Sequence, residues 1–292
     1  MMLDFLKEPL EFAFMQRALL AAGFAAVVCA VVGTFVVLKG MAFMGEAVAH
    51  SSLTGMSVAS IFGGSVFWGA LAWAVPASLL ITVISRRANL RLDTAIGIIF
   101  AGGFALGIIL ISQVSNYTAD LFDFLFGNVL GASWNEVILI GGITGAVLVV
   151  LLAFYKELLF TSYDATMAAA SGIPVRFIQY LLPVLVAVTA VASIKSVGIV
   201  LVLALLVTPA ATGTLLARQL PSIMAASTLI ALLSTVAGLY LSFYLDLPTG
   251  PSIVMVATAL FALALVLSPN KGLVKRWLRP SPAPALTGSP NT

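Results

Sequence analysis

The sequence has too few charged residues to cover the surface of a water-soluble protein. Only 9% of its 292 residues are Asp, Glu, Lys or Arg, whereas soluble domains average about 25%. Hydrophobic residues make up 61% of the chain, and the mean hydropathy is +1.15. A helix that crosses a hydrocarbon layer about 30 Å thick needs about 20 predominantly apolar residues. We therefore predict an all-α bundle of helices that spans a lipid membrane several times.

Other scarce features exclude further classes of protein. Cys29 is the only cysteine, which excludes an intrachain disulfide bond and a cysteine-based metal cluster. The net charge is only +3, and the basic residues lie between apolar runs, so we expect no nucleic-acid partner. The first residues mix acidic with apolar side chains and therefore do not resemble a cleaved secretory signal.

Nine apolar segments are long enough to be helices that cross the membrane. Two of them are separated only by Lys195 and Ser196, so one of the two could be a short re-entrant helix that lines a cavity. We therefore predict about 8–9 spans in one transmembrane domain over residues 1–270, followed by a disordered tail over 271–292. The segments are 18–38, 41–62, 65–84, 95–112, 136–155, 177–194, 197–217, 223–244 and 251–268.

The basic residues predict the orientation of the chain, because Lys and Arg in short loops favour the cytoplasm. With nine spans, an outer N-terminus and an inner C-terminus, 11 of the 14 Lys and Arg residues lie inside. Only Lys7, Arg17 and Lys195 lie outside. Seven of the 11 acidic residues lie outside, where they would either attract cations or simply be solvated loop residues.

Glu46 is the only acid within an apolar segment, and His50, the only histidine, follows it by four residues. In a helix these two side chains share one face, about 6 Å apart along the axis. A charge inside a membrane usually faces a cavity, a partner or an ion pathway, and carboxylate with imidazole suits first-row divalent metals. The alternative is a Glu–His hydrogen bond that only stabilises the bundle. An intramembrane enzyme using His50 with Ser51 or Ser52 is geometrically poor, because neighbouring residues point about 100° apart.

The residues around this pair resemble a known family. Residues 40–55 (GMAFMGEAVAHSSLTG) are similar to the Gly-Asp-x-x-x-His-Ser motif of the zinc/manganese permease family of ABC transporters. Four later stretches resemble family blocks in the right order. Where the family usually has Asp, this chain has Glu46, which leaves metal preference and coordination geometry open. The later stretches are 92–107, 120–130, the Asp164-x-x-x-Ala168-x-x-x-Gly172 spacing, and 197–211.

The resemblance implies a membrane permease of the type found in vitamin B12 and siderophore importers, located in the bacterial cytoplasmic (inner) membrane. It implies a dimer, with Glu46 and His50 as transient ligands of a transported manganese, zinc or iron ion on a path between the subunits. We expect no permanently bound cofactor and no enzymatic activity. No G-x-x-x-x-G-K-[ST] phosphate loop occurs in the sequence, so a separate ATP-binding subunit must hydrolyse ATP. An extracytoplasmic metal-binding protein is the other implied partner.

Two further features have alternative interpretations. The resemblance makes Asp164, Ala168 and Gly172 part of a short helix that docks on the ATPase, whereas composition alone fits an ordinary connecting helix with Asp164 near its N-cap. Pro209 is expected to kink its helix, with either a pathway role or a purely structural one. Asp93 could be a helix cap.

The rival function is a proton-coupled secondary metal transporter in which Glu46 carries the proton and no ATPase exists.

Overall fold

The computed structural model describes residues 8–113 and 129–268. All regular secondary structure in those residues is helical, which confirms the all-α prediction. Residues 120–128 of one family-like stretch and the tail over 271–292 lie outside the described residues. The helices are α1 (Ala13–Leu38), α2 (Met44–Ile61), α3 (Val66–Arg87), α4 (Leu92–Ile111), α5 (Trp134–Ala153), α6 (Tyr155–Tyr163), α7 (Ala165–Ala170), α8 (Val175–Val197), α9 (Ile199–Leu216), α10 (Leu220–Leu245) and α11 (Thr249–Leu267).

Every predicted apolar segment is a helix, with ends that differ from the prediction by at most five residues. Eight of these helices are long and apolar enough to cross a membrane, judged by length and composition. The exception is α2, which has 18 residues and contains Glu46, His50 and several serines. The chain is therefore a multi-pass membrane protein whose most polar long helix carries the ionisable pair.

The helices α8 and α9 are separated by Gly198 alone. The expected break at Lys195 and Ser196 is wrong, because both residues belong to the last turn of α8. Gly198 has φ of 81°, a backbone conformation that side-chain-bearing residues rarely adopt, and this conformation ends the helical run. Both helices are long and apolar enough to be spans, so neither is a short re-entrant helix.

The helix α1 lies in the centre of the bundle and contacts α5, α8, α9 and α10. Its side chains from Ala18 to Val36 are mostly small and mostly buried. Small residues allow membrane helices to approach closely, and close packing is what drives helix association where water is absent. The residues of α1 therefore provide the fixed framework around which the other helices pack.

The helix α2 packs tightly against α3 and α4. Gly103 of α4 lies so close to α2 that an added Cβ atom would be 2.6 Å from Cβ of Ser51, a distance that only glycine avoids. Thr54 donates a hydrogen bond to the carbonyl of Gly103, and Ser57 donates one to Gly107, 3.2 Å away. These bonds between a side chain and the neighbouring backbone fix the position of α2 against α4.

Two contacts join helix ends that were predicted to lie on the same side of the membrane. The Lys195 ammonium at the end of α8 lies 3.5 Å from Oε1 of Glu136 at the start of α5. On the other side, Ser268 donates a hydrogen bond of 2.6 Å to the carbonyl of Leu215. The predicted grouping of the loops agrees with these contacts, while the assignment of one group to the cytoplasm stays a prediction.

Candidate metal site

Glu46 lies in the first turn of α2 and faces a cavity of about 200 Å³ between α2 and α4. Asp93, in the first turn of α4, lines the same cavity. The remaining wall is apolar apart from the backbone. It consists of Phe43, Ala47, Ile96, Gly97 and Phe100.

Both carboxylates lie at helix N-termini. The partial positive charge at a helix N-terminus interacts favourably with an anion, so α2 and α4 each support a negative side chain at this position. Carboxylate oxygens are ligands for hard divalent cations such as Mn²⁺. The cavity therefore combines two negatively charged metal-ligating groups with apolar walls, an arrangement suited to a partly dehydrated cation.

His50 lies one turn further along α2. Its ring is held edge-on by two aromatic side chains of α4, with centroids 5.3 Å from Phe100 and 5.2 Å from Phe104. The Nδ1 atom is buried and has no hydrogen-bond partner among the described residues. Buried polar atoms are normally paired. The imidazole is thus oriented by packing, and one of its two nitrogens is not used in the protein's own hydrogen bonds.

The described residues do not form the hydrogen bonds on which the structural and enzymatic alternatives for this pair depend. In the described part of the chain, no hydrogen bond or ion pair joins Glu46 to His50. Ser51 and Ser52 donate hydrogen bonds to the carbonyls of Val48 and Ala49 in their own helix, at 3.2 and 2.6 Å. Among the described residues neither hydroxyl bonds to His50, the contact that an activated serine nucleophile uses.

Asp93 is the residue whose placement the sequence did not predict. The N-cap of α4 is Arg91, and no side chain forms a capping hydrogen bond there, so the interpretation of Asp93 as a helix cap is wrong. Its side chain is exposed toward the cavity that Glu46 also lines. One signal was available: both acids lie in the first turn of a helix that follows a loop on the same predicted side.

One chain supplies an incomplete metal site. Among residues 8–113 and 129–268, no group of three or more His, Cys, Asp and Glu side chains is close enough to hold a metal ion together. Divalent transition metals take at least four ligands. The described residues of one chain therefore do not by themselves supply a full set of side-chain ligands for such an ion.

The segment that contains Asp164, Ala168 and Gly172 forms a helical arm with two parts. Asp164 is the N-cap of α7, and its Oδ1 atom accepts hydrogen bonds from the backbone N–H groups of Thr166 (2.8 Å) and Met167 (3.0 Å). Gly172 has φ of 80° and follows the end of α7. Ala168 is fully buried, whereas Met167 is 63% exposed. The surface that α7 offers to a partner is therefore formed by residues such as Met167 rather than by Ala168.

Pro209 is buried within α9, which remains one helix on both sides of the proline. It does not line the cavity that Glu46 and Asp93 share. Three residues before it, Leu206 packs close to Gly45, where an added Cβ atom would be 2.4 Å from Cδ2 of the leucine. Pro209 itself is thus not part of the site, whereas Leu206 of the same helix packs next to Gly45, the residue before Glu46.

Comparison with known proteins assigns the family. The chain matches the model of the ABC 3 transport family over residues 11–268. It is 40% identical, over 275 residues and 94% of each chain, to the manganese transport system membrane protein MntC of Halalkalibacterium halodurans. It is 37% identical to the manganese import system permease protein ScaB of Streptococcus gordonii, covering 94% of this chain and 99% of the relative.

A solved structure has the same fold over almost the whole chain. PsaBC from Streptococcus pneumoniae, solved in complex with Fab, matches with a TM-score of 0.84 at 36% identity, covering 95% of this chain and 100% of the other. The predicted resemblance is thus confirmed by sequence and by fold. The chain belongs to the ABC 3 transport family.

Proposed function

We propose that this chain is the permease subunit of an ATP-driven importer that carries manganese(II) across the bacterial cytoplasmic membrane. The observation that carries this proposal is the placement of Glu46 and Asp93 around one cavity, with His50 one turn away. Each is a metal-ligating group that the protein does not use for its own ion pairs among the described residues. Relatives whose names state manganese transport support the choice of substrate.

The chemistry of the residues near the cavity is compatible with manganese, and the names of the relatives support manganese among the three candidate metals. Glu46 and Asp93 offer carboxylate oxygens to the cavity and His50 offers an imidazole one turn away, and the described residues place no thiolate beside them. Oxygen ligands suit Mn²⁺, whereas soft thiolates select Zn²⁺ or Cu⁺. On intrinsic affinity alone, zinc and iron would bind the same donors more tightly than manganese does. Selection of manganese therefore depends on the geometry of the site and on which metal is available.

A second copy of the permease would complete the ligand shell. Two copies across a two-fold axis would offer two Glu46 carboxylates and two His50 imidazoles, which together can replace several waters of a hydrated cation. Such a shell binds strongly enough to remove water and weakly enough to release the ion. The path would then run between the subunits, as in a homodimer.

The proposed direction of transport follows from the predicted orientation, with the N-terminus outside and the C-terminus inside. The connections that lead into α2 and α4 carry Lys39 and Arg91, and the last turn of α3 carries Arg86 and Arg87. Basic residues at such positions favour the cytoplasm. Glu46 and Asp93 would lie near the inner end of the path, with His50 deeper in the membrane. An extracytoplasmic metal-binding protein would deliver the ion from outside.

A separate ATP-binding subunit would dock on the arm formed by α6 and α7. Large side chains are exposed along this arm, including Phe160 at 53%, Tyr163 at 71% and Met167 at 63%. Exposed apolar side chains outside the membrane-spanning helices are typical of a surface that binds another protein. Asp164 and Gly172 would set the ends of α7, and buried Ala168 would hold it against the permease.

Transport by purified protein in lipid vesicles tests the proposal. The permease with its ATPase should take up manganese when ATP is supplied to the ATPase side, and should stop when ATP is replaced by a non-hydrolysable analogue. The permease alone, given a proton gradient, should take up none. Uptake driven by protons without the ATPase would instead establish the secondary transporter with Glu46 as proton carrier.

A further inference from the structure

The arm of α6 and α7 packs against the membrane bundle through buried apolar side chains such as Leu158 and through a ring contact between Tyr155 and Phe35, and among the described residues one side-chain hydrogen bond also connects the arm to the end of α1. The Lys39 ammonium, just after α1, donates a hydrogen bond of 3.1 Å to Oγ1 of Thr161 in α6. Thr161 is buried, and its hydroxyl in turn donates to the carbonyl of Leu158. In the described part of the chain, no other hydrogen bond links α6 or α7 to a long helix.

A lysine is unusual as the donor in this contact, because the position is partly buried. Burial lowers the pKa of the Lys39 ammonium below the ordinary value. Within the residues that the structure describes, no carboxylate lies within 4 Å of it. Burying a charge is unfavourable unless hydrogen bonds compensate. The hydrogen bond to Thr161 provides part of that compensation. Moving α6 away from Lys39 would break this bond and raise the electrostatic free energy of the partly buried ammonium.

A short, hydrogen-bonded turn connects Lys39 to the helix that carries Glu46. The backbone N–H of Met41 donates to the carbonyl of Val36 (2.9 Å), and that of Met44 donates to Met41 (2.9 Å). Gly40 has φ of 66°, which this turn requires and which glycine adopts without strain. The end of α1 and the first turn of α2 are therefore joined without a flexible linker.

These contacts form a continuous connection from the arm to the cavity. It runs from Thr161 to Lys39, through the turn, and then to Glu46 in the first turn of α2. We infer that Lys39 is a positioning residue that transmits movement of the α6–α7 arm to Glu46, so that ATP-driven displacement of the arm changes the metal site. The inference rests on the proposed function, because it takes the arm to be the ATPase-docking segment.

A purely structural role for Lys39 makes a different prediction. A cation at the end of α1 would interact favourably with the helix C-terminus, and losing it would lower stability without changing how transport is coupled to ATP. Coupling between two sites is typically worth about 5- to 150-fold in an equilibrium constant. The ratio of metal transported to ATP hydrolysed separates these roles, because loss of folded protein lowers both quantities equally.

The test compares variants of the complete permease–ATPase complex in lipid vesicles. Lys39→Met keeps most of the side-chain volume but removes the donor, and Thr161→Val removes the acceptor. Lys39→Arg restores a charged donor. Ser162→Ala is the matched control, because the Ser162 hydroxyl bonds only to the carbonyl of Leu158 in its own helix, at 2.6 Å.

We expect Lys39→Met and Thr161→Val each to lower the manganese transported per ATP by about fivefold or more. The double variant should be no worse than either single variant, Lys39→Arg should recover much of the loss, and Ser162→Ala should match wild type. Co-purification of the ATPase and manganese binding without ATP should be unchanged. If Lys39→Met yields little folded protein, Thr161→Val measured against Thr161→Ser decides the question.

The link would be overturned by a wild-type ratio in both single variants, or by losses that multiply in the double variant. A fall in melting temperature with an unchanged ratio would also overturn it, because that is the structural role. Failure of the proposed function looks different, since the wild-type complex itself would then transport no manganese.

Discussion

Glu46 of α2 and Asp93 of α4 line the same cavity, although they are 47 positions apart in the sequence, and each lies in the first turn of its helix. The helix between them, α3, returns the chain across the bundle, so α2 and α4 begin side by side. Their N-termini therefore place two carboxylates at one end of the proposed metal path.

Replacing Asp93 with Asn should weaken metal uptake but not abolish it. The amide is nearly the same size but carries no charge, so the cavity keeps its shape and loses one anionic ligand. We expect the KM for manganese to rise about tenfold, which corresponds to roughly 1.4 kcal/mol of binding free energy. Thr94→Ala is the control, since Thr94 is exposed beside Asp93 but does not line the cavity. Equal KM values for Asp93→Asn and wild type would remove Asp93 from the site.

Glu46→Asp should retain uptake and change the choice of metal. The shorter side chain moves the carboxylate by about one C–C bond length, which changes the size of the site without removing its charge. We expect the ratio of manganese to zinc uptake, measured with both metals present, to differ from wild type. Complete loss of uptake would show that the geometry set by Glu46 is essential rather than a source of selectivity.

Cysteine labelling should establish the orientation. Cys29 is fully buried, so the natural chain should react little with a membrane-impermeant maleimide. Ala88→Cys, in the loop between α3 and α4, should be protected in intact cells and labelled after the membrane is opened. Ser65→Cys, in the loop between α2 and α3, should be labelled in intact cells. The opposite pattern would reverse the proposed direction of the path.

Met167 and Ala168 should respond differently to substitution although they are neighbours in α7. Met167→Glu places a charge on an exposed position and should weaken ATPase binding by about tenfold or more, with an unchanged melting temperature. Ala168→Leu overfills a buried position, which typically costs about 1–3 kcal/mol of stability, and should lower the melting temperature. Leu247→Glu is the control for an added surface charge, since Leu247 is 44% exposed between α10 and α11. ATPase binding to Met167→Glu at wild-type affinity would contradict the docking assignment.

The spans were predictable because each membrane helix needs one apolar run of a fixed length. The pairing of Glu46 with His50 was predictable because four residues make about one helical turn. Both inferences use local sequence alone. The first agrees with eight described helices that are long and apolar enough to cross a membrane, and the second agrees with the helix over residues 44–61.

The placement of Glu46 and Asp93 around one cavity was not predictable in the same way. It depends on how α2 packs against α4, and small residues such as Gly103 permit that packing without specifying its register. The burial of Ala168 could not be predicted from the sequence for a related reason. The sequence of α7 is almost uniformly small and apolar, so nothing in its pattern tells which side faces the bundle.

Manganese uptake by Glu46→Gln and His50→Ala permease tests the metal path most directly. Each variant should be assembled with the ATPase and normalised to the amount of folded, membrane-inserted protein. Ser52→Ala serves as the control on the same helix, because its hydroxyl bonds only to the carbonyl of Ala49. Both variants should lose most of their uptake while the control keeps it, since each removes a ligand that the ion must exchange for water. Near-wild-type uptake by both Glu46→Gln and His50→Ala would contradict a metal path through these residues.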